Sequence, residues 1–358
     1  MAYEAVYDRS EVADIAARVK TTEYKGMPLE LRPVPGTDAT DELDPRVLAD
    51  ALAKMAGTVA NIPMENFTAM RKRPLKETHP LIQGKVERSV KLMDLGDRSI
   101  VLHVWTPDNH VAPSPVLYFC HGGGWAFGDV EAYANFLALI AEETGAVVAY
   151  PEYRFAPETP FPGGLMDCSQ GVDWMAAHQE ELGIDINRLA VSGDSAGGSL
   201  INGVIQLQAA RHPVKLQVNI YGGMDAGPIP EDWSYDFHPV RADQADAARN
   251  RIDRTKGLGV SLFYTHGDTE ALKDPLISAN YCGSFECFPR SVVVASAYDF
   301  LKYQDLEFAH KLWVAGRDVR AVLYLGMDHG FIERSGVYPQ AEDLARLVAA
   351  EMNDMFAE

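Results

Sequence analysis

From about residue 115 onward, short apolar runs alternate with longer amphipathic stretches. The runs fall at 115–120, 146–150, 189–192, 216–221, 291–297 and 319–325. The stretches between and after them, at 130–143, 164–182, 196–211, 302–315 and 338–356, read as helices. Strands this apolar have no polar face to turn to water, so the pattern predicts a parallel sheet covered by helices on both sides. The expected fold class is therefore α/β, doubly wound. Residues 86–94 and 98–106 read as strands joined by Gly96-Asp97, a pair that suits a hairpin turn, so an antiparallel pair should open the sheet.

Two regions depart from this alternation. The first 85 residues read as helical with long polar connectors. Asp44 can cap a helix that Pro45 opens, with Leu48, Leu52, Met55 and Val59 on one face, and a second short helix is expected from Met64 to Arg71. Such a segment, 1–85, is expected to lie as a cap across a larger body, 86–358. The stretch 224–285 holds Trp233, Tyr235, Phe237, Phe263 and Tyr264 among many charges and reads as an insertion above the sheet. Its aromatic residues either line a substrate pocket or pack the insertion itself.

Composition narrows the class. The 358 residues carry 32 Lys and Arg against 51 Asp and Glu, a net charge of −19. That balance argues against nucleic acid as a partner, which requires a basic footprint, and against an anionic membrane surface. The opening residues lack a basic stretch followed by an apolar one, and no run approaches the ~18 apolar residues of a membrane helix. Cys120, Cys168, Cys282 and Cys287 form no C-x-x-C pair and have no histidine at zinc spacing, so they read as reduced thiols of a cytoplasmic protein. His266-Gly267-Asp268 has no ligand partners at suitable spacing and reads as a turn; no metal site is expected.

Three segments carry chemistry. Gly193-Asp194-Ser195-Ala196-Gly197 follows the strand at 189–192 and precedes the helix at 196–211, the context that a G-x-S-x-G nucleophile elbow requires. His121-Gly122-Gly123-Gly124-Trp125 ends the strand at 115–120, where backbone N–H groups can point at an oxyanion. No Gly-Lys-Ser/Thr follows, which removes a phosphate loop. His121 is read as a structural residue that holds this loop. Asp299 stands at the carboxyl end of the run 291–297, and His329 follows the run 319–325. The order Ser195, Asp299, His329 is that of the α/β-hydrolase triad. Asp274 and Asp328 are alternative acids; Asp299 is preferred for its strand-end position, where ligand sites of open α/β sheets lie.

Together these residues resemble the hormone-sensitive-lipase-like family of α/β-hydrolases in its bacterial esterase branch. The matching pieces are HGGGW at 121–125, YRFAPE at 153–158, GDSAGG at 193–198, DPLIS at 274–278, Asp299 and GMDHGF at 326–331. The resemblance covers about 86–358, and the N-terminal segment looks like the family's cap. It implies a cofactor-free serine carboxylesterase acting on small, short-chain esters. Ser195 would be the nucleophile, His329 the acid and base, Asp299 its orienter, and Gly122, Gly123 and Ala196 the oxyanion donors, with Gly124 shaping the loop. Trp125, Phe127, Met327 and Phe331 are expected to line the substrate site, and Arg154 and Glu158 to form a scaffold ion pair. Family members often pair through the last strand, here 319–325, which makes a homodimer one expectation. Tyr303 departs from the family pattern where a carboxylate is usual, and DPLIS is followed by Ala279-Asn280 rather than the usual proline. The same machinery serves amides, formamides and lactones. Small-molecule receptors on this fold lack the histidine that is present here as His329.

Overall fold

In a computed structural model, residues 3–57, 66–231, 233–256, 259 and 261–357 are described. The strands are β1 (Lys20–Tyr24), β2 (Met27–Arg32), β3 (Val86–Asp94), β4 (Ser99–Pro107), β5 (Ser114–Cys120), β6 (Val147–Pro151), β7 (Ile184–Asp194), β8 (Leu216–Ile220), β9 (Arg290–Tyr298) and β10 (Val319–Asp328). The helices are α1 (Arg9–Ala17), α2 (Pro45–Met55), α3 (Phe67–Arg71), α4 (Ala134–Thr144), α5 (Gly163–Ala177), α6 (Gln179–Leu182), α7 (Ala196–Gln208), α8 (Ala245–Ile252), α9 (Ser261–Tyr264), α10 (Lys302–Val314) and α11 (Pro339–Met355).

All ten strands join one sheet in the order β1-β2-β10-β9-β8-β7-β5-β6-β4-β3. The run from β2 to β6 is parallel, while β1, β3 and β4 are antiparallel to their neighbours. Each central strand feeds two cores. Val292 and Val294 of β9 enter one apolar cluster, while Val293 and Ala295 enter the other. The two-residue period of a strand thus places successive side chains on opposite faces, each roofed by helices.

The N-terminal region departs from its helical expectation. Residues 20–32 form the hairpin β1–β2, and β2 pairs in parallel with β10, Leu29 opposite Ala321 and Leu31 opposite Leu323. Met27 and Leu29 are buried while Pro28 between them is exposed, a period-two pattern that only the distant β10 edge turns into a strand. The same pairing closes the edge of 319–325. A homodimer through that strand is blocked, because its outer backbone groups already bond to β2.

α2 begins as expected, with the Asp44 carboxylate accepting from Arg46 N and Pro45 opening the helix. Its inner face, however, is Val47 and Ala51; Leu52 and Met55 are about half exposed. Val59 and Met64 lie outside the described residues, and the second short helix is α3. The helix expected at 130–143 is a short 3-10 turn followed by α4, and that at 164–182 divides into α5 and α6. Between β8 and β9 the described residues form α8, α9 and short 3-10 turns, with Trp233 packing on Phe300 just past β9 and Tyr264 on Trp125 just past β5.

Candidate active site

Between β7 and α7 the chain turns through a single residue, Ser195, at φ 53° and ψ −123°. That left-handed conformation is costly for a residue with a side chain and persists only where its surroundings impose it. Close packing of strand on helix supplies the constraint. A Cβ on Gly197 would fall 1.9 Å from the Cys120 carbonyl oxygen, and one on Gly193 would fall 2.5 Å from that of Gly197. Only glycine fits at either position, and the hairpin-tight turn lifts the Ser195 hydroxyl clear of the sheet.

The three expected residues meet above the sheet. His329, just past β10, has Nε2 2.8 Å from Ser195 Oγ and Nδ1 2.6 Å from Asp299 Oδ2. Asp299, just past β9, is fully buried. Its Oδ1 accepts from Thr255 Oγ1 at 2.7 Å and from Leu301 N at 3.0 Å. Burial works against the charge, but His329 above all, then Thr255 and Leu301, outweighs it and holds the carboxyl below its ordinary range. The alternative acids are engaged elsewhere. Asp328 pairs with Arg254 at 2.9 Å and with Arg251, and Asp274 accepts from Leu276 N within its own turn.

The glycine loop corrects one expectation. Gly122 N donates to Asp194 Oδ1 at 2.7 Å, so it is not free to meet an oxyanion. Among the described residues the N–H groups of Gly123 and Gly124 have no such partner. Ala196 heads α7, where first-turn N–H groups lack helical acceptors and the helix dipole is positive. With Gly122 committed, the N–H groups of Gly123, Gly124 and Ala196 are left without an acceptor in these two segments among the described residues. Gly123, at φ 108°, would place a Cβ 1.8 Å from the Phe127 carbonyl oxygen, so no side chain fits there. His121 is buried and bonds the Gly122 carbonyl through Nδ1 at 2.7 Å, with its ring stacked on Tyr153. Burial lowers it to about 4, so it is neutral and structural.

The expected substrate-lining residues divide. Phe127 borders a cleft beside Gly122 and Gly123, with Met70, Arg73, Tyr133 and Glu333. Trp125 is nearly buried and stacks on Tyr264 of α9 at 4.6 Å, coupling the glycine loop to the insertion. Met327 and Phe331 are fully buried in the core, Phe331 against Tyr221 and Tyr324. Both flank His329 in sequence and are core residues with no exposed surface among the described residues. Arg154 and Glu158 do not pair with each other. Arg154 binds Asp167, and Glu158 binds Arg71 of α3, so the YRFAPE segment ties the N-terminal region to the glycine loop. Of the aromatic residues in the insertion, Trp233 packs on Phe300 and Phe263 on Phe67, which joins α9 to α3. Thr255 belongs to no sequence motif, and only the fold brings it to Asp299.

A mostly parallel sheet with a hydroxyl, an imidazole and a buried carboxylate in one hydrogen-bonded line at its carboxyl edge defines an α/β-hydrolase. The chain belongs to this family: the model of the alpha/beta hydrolase fold matches residues 116–333. Lipase 2 of Moraxella is 28% identical over 280 residues, 70% of this chain and 63% of that protein, so the chain spans less than two thirds of that relative. The arylesterase of Saccharolobus solfataricus is 26% identical over 80% of this chain and 87% of its own. Carboxylesterase NlhH of Mycobacterium tuberculosis is 29% identical over 72% and 78%. Among solved structures, a thermostable esterase from Pseudomonas putida superposes with a TM-score of 0.68 at 25% identity, covering 89% of this chain and 97% of that one. The hormone-sensitive-lipase-like resemblance read from the motifs agrees with these relatives. Among the described residues no helix is long and apolar enough to cross a membrane.

Proposed function

We propose that this chain hydrolyses small carboxylic esters through a covalent acyl-enzyme on Ser195. The observation that carries this reading is the unbroken line Ser195 Oγ, His329 Nε2, His329 Nδ1, Asp299 Oδ2, with spacings of 2.8 and 2.6 Å. A serine hydroxyl is a weak nucleophile until a neighbouring base takes its proton. His329 accepts that proton as Oγ attacks the ester carbonyl. The negative charge that develops on the carbonyl oxygen is taken up by the N–H groups of Gly123, Gly124 and Ala196, donors that lower the barrier to the extent that they are set in place before the reaction. His329 then protonates the departing alcohol, and the same imidazole activates water to release the acid. Asp299 stays ionised throughout, fixing the tautomer with the proton on Nδ1 and stabilising the imidazolium. Three features support the reading further: the esterase relatives, the elbow strain at Ser195 and the commitment of Asp328 and Asp274 to other partners. The four unpaired cysteines fit a cytoplasmic location.

The test is a p-nitrophenyl ester series from acetate to palmitate, with wild type, Ser195→Ala, Asp299→Asn and Asp328→Asn compared. Ser195→Ala should abolish turnover without loss of fold. Asp299→Asn should lower kcat by about 10³- to 10⁴-fold, the scale set by removing the acid of such a triad. Asp328→Asn should retain far more activity than Asp299→Asn. Turnover that survives in Ser195→Ala would sink the mechanism, and a folded wild type inert on every ester but active on an amide or lactone would move the substrate class.

A further inference from the structure

A carboxylate turns easily about its terminal bond, so Asp299 needs something to hold it in register. Oδ2 must face His329 Nδ1, so Oδ1 must be fixed by something else. One donor, Leu301 N, belongs to the acid's own turn and moves with it. The other comes from a different part of the chain, the stretch directly after α8, between β8 and β9. The Thr255 hydroxyl lies 2.7 Å from Asp299 Oδ1 and 3.3 Å from the Ile252 carbonyl oxygen. It has one proton to give, and the shorter, charged acceptor takes it. Its oxygen in turn accepts from Phe300 N at 3.2 Å, which orients the hydroxyl toward the carboxylate.

The same turn also reaches the histidine. Arg254 donates to Asp328 Oδ2 at 2.9 Å, and the fully buried Arg251 reaches that oxygen at 3.4 Å and Asp50 of α2 at 2.6 Å. Asp328 immediately precedes His329. Within five residues, therefore, the end of α8 grips both the acid and the backbone beside the base.

We propose that Thr255 is a positioning residue of the triad: its hydroxyl locks the Asp299 carboxylate so that His329 is held toward Ser195. The insertion is then a working part of the catalytic line as well as a cover above it. This inference rests on the esterase reading. A misplacement of reacting groups by about 1 Å costs roughly 100-fold in rate, which sets the scale of the expected effect.

The experiment compares wild type, Thr255→Val, Thr255→Ala and Thr255→Ser on p-nitrophenyl acetate, with melting curves for each and Ser195→Ala alongside. Val matches Thr in shape and lacks the donor. Thr255→Val and Thr255→Ala should lose about 10- to 100-fold in kcat with KM held within about twofold, and Thr255→Ser should recover most of the rate. A kcat for Val near that of wild type, a change carried by KM instead, or a Ser variant no better than Val would overturn the proposal. So would failure of both Val and Ala to fold, which would make Thr255 a structural residue. An inactive wild type, or activity that survives in Ser195→Ala, would instead strike the esterase reading, and this inference with it.

Discussion

Asp194, the residue before Ser195, does two things at once. It takes the N–H of Gly122, fixing the glycine loop against the elbow, and it receives the Tyr133 hydroxyl at 3.3 Å. Burial raises its carboxyl from the ordinary range to about 7, Glu333 pushes the same way, and the Gly122 N–H opposes them. In the unfolded chain the same group ionises near 4. Between about pH 4 and 7 the folded state thus keeps a proton that the unfolded state has released, and each rise in pH across that window costs stability. Asp194→Asn retains an oxygen for Gly122 and removes the titration. Its Tm advantage over wild type should grow from pH 4 to pH 7 and stay constant above, as read from paired melting curves between pH 4 and 8. An advantage independent of pH would mean that Asp194 is ionised throughout. At this scale the sequence points to Ser195 as the reactive hydroxyl, while the structure commits Gly122, one of the expected oxyanion donors, to Asp194. The glycines at 122–124 are equivalent as letters, and only the approach of Asp194 separates Gly122 from the other two.

α2 and α8 lie far apart in the chain and are tied by charge as well as by packing. Arg251 is fully buried between Asp50 of α2 and Asp328 of β10, and Lys54 and Arg334 also pair with Asp50. Removing one member of such a cluster leaves its partners desolvated and only partly neutralised, which is worse than never having had the pair. Arg251→Met should cost about 3 kcal/mol of folding stability, measured by urea denaturation. A loss below about 1 kcal/mol would place the pair among solvent-screened surface contacts. The apolar spacing of α2 predicts a helix correctly but chooses the wrong face. Leu48, Leu52 and Met55 satisfy helical periodicity, yet Val47 and Ala51 are the fully buried residues, Leu48 is partly buried against the core, and Leu52 and Met55 are about half exposed. Periodicity states that an element is amphipathic; the neighbour decides which stripe it covers.

Across the whole molecule, the N-terminal hairpin completes the sheet. β2 covers β10, and Arg32 joins it to α11 through two hydrogen bonds to Asp343, a carboxylate that also receives the Tyr324 hydroxyl. The new edge strand, β1, shows Lys20, Thr21, Thr22 and Glu23 to solvent, a polar edge that discourages pairing between copies. Deleting residues 1–33 would bare the apolar β10 edge and strand Asp343 without its guanidinium. That truncated protein should self-associate or fail to stay in solution, which light scattering after size-exclusion chromatography would show. A soluble monomer would make the hairpin dispensable.

What the sequence by itself determined is whatever is written locally: alternation of strand and helix, the elbow with its glycines, and the order of serine, acid and histidine at strand ends. The alternation and the elbow are legible because each depends on residues within a few positions of one another, and the distant serine, acid and histidine because sheet geometry delivers strand ends to one edge. What only the tertiary structure decided depends on contacts across long sequence separations. The strand at 27–32 exists because β10 lies open beside it, Glu158 finds Arg71 instead of Arg154, and the last strand is interior rather than free to pair. Thr255, in a segment without motif or period, meets Asp299 just past the end of α8. Such pairings cost loop-closure entropy that no local pattern records, and packing against distant partners is what repays it.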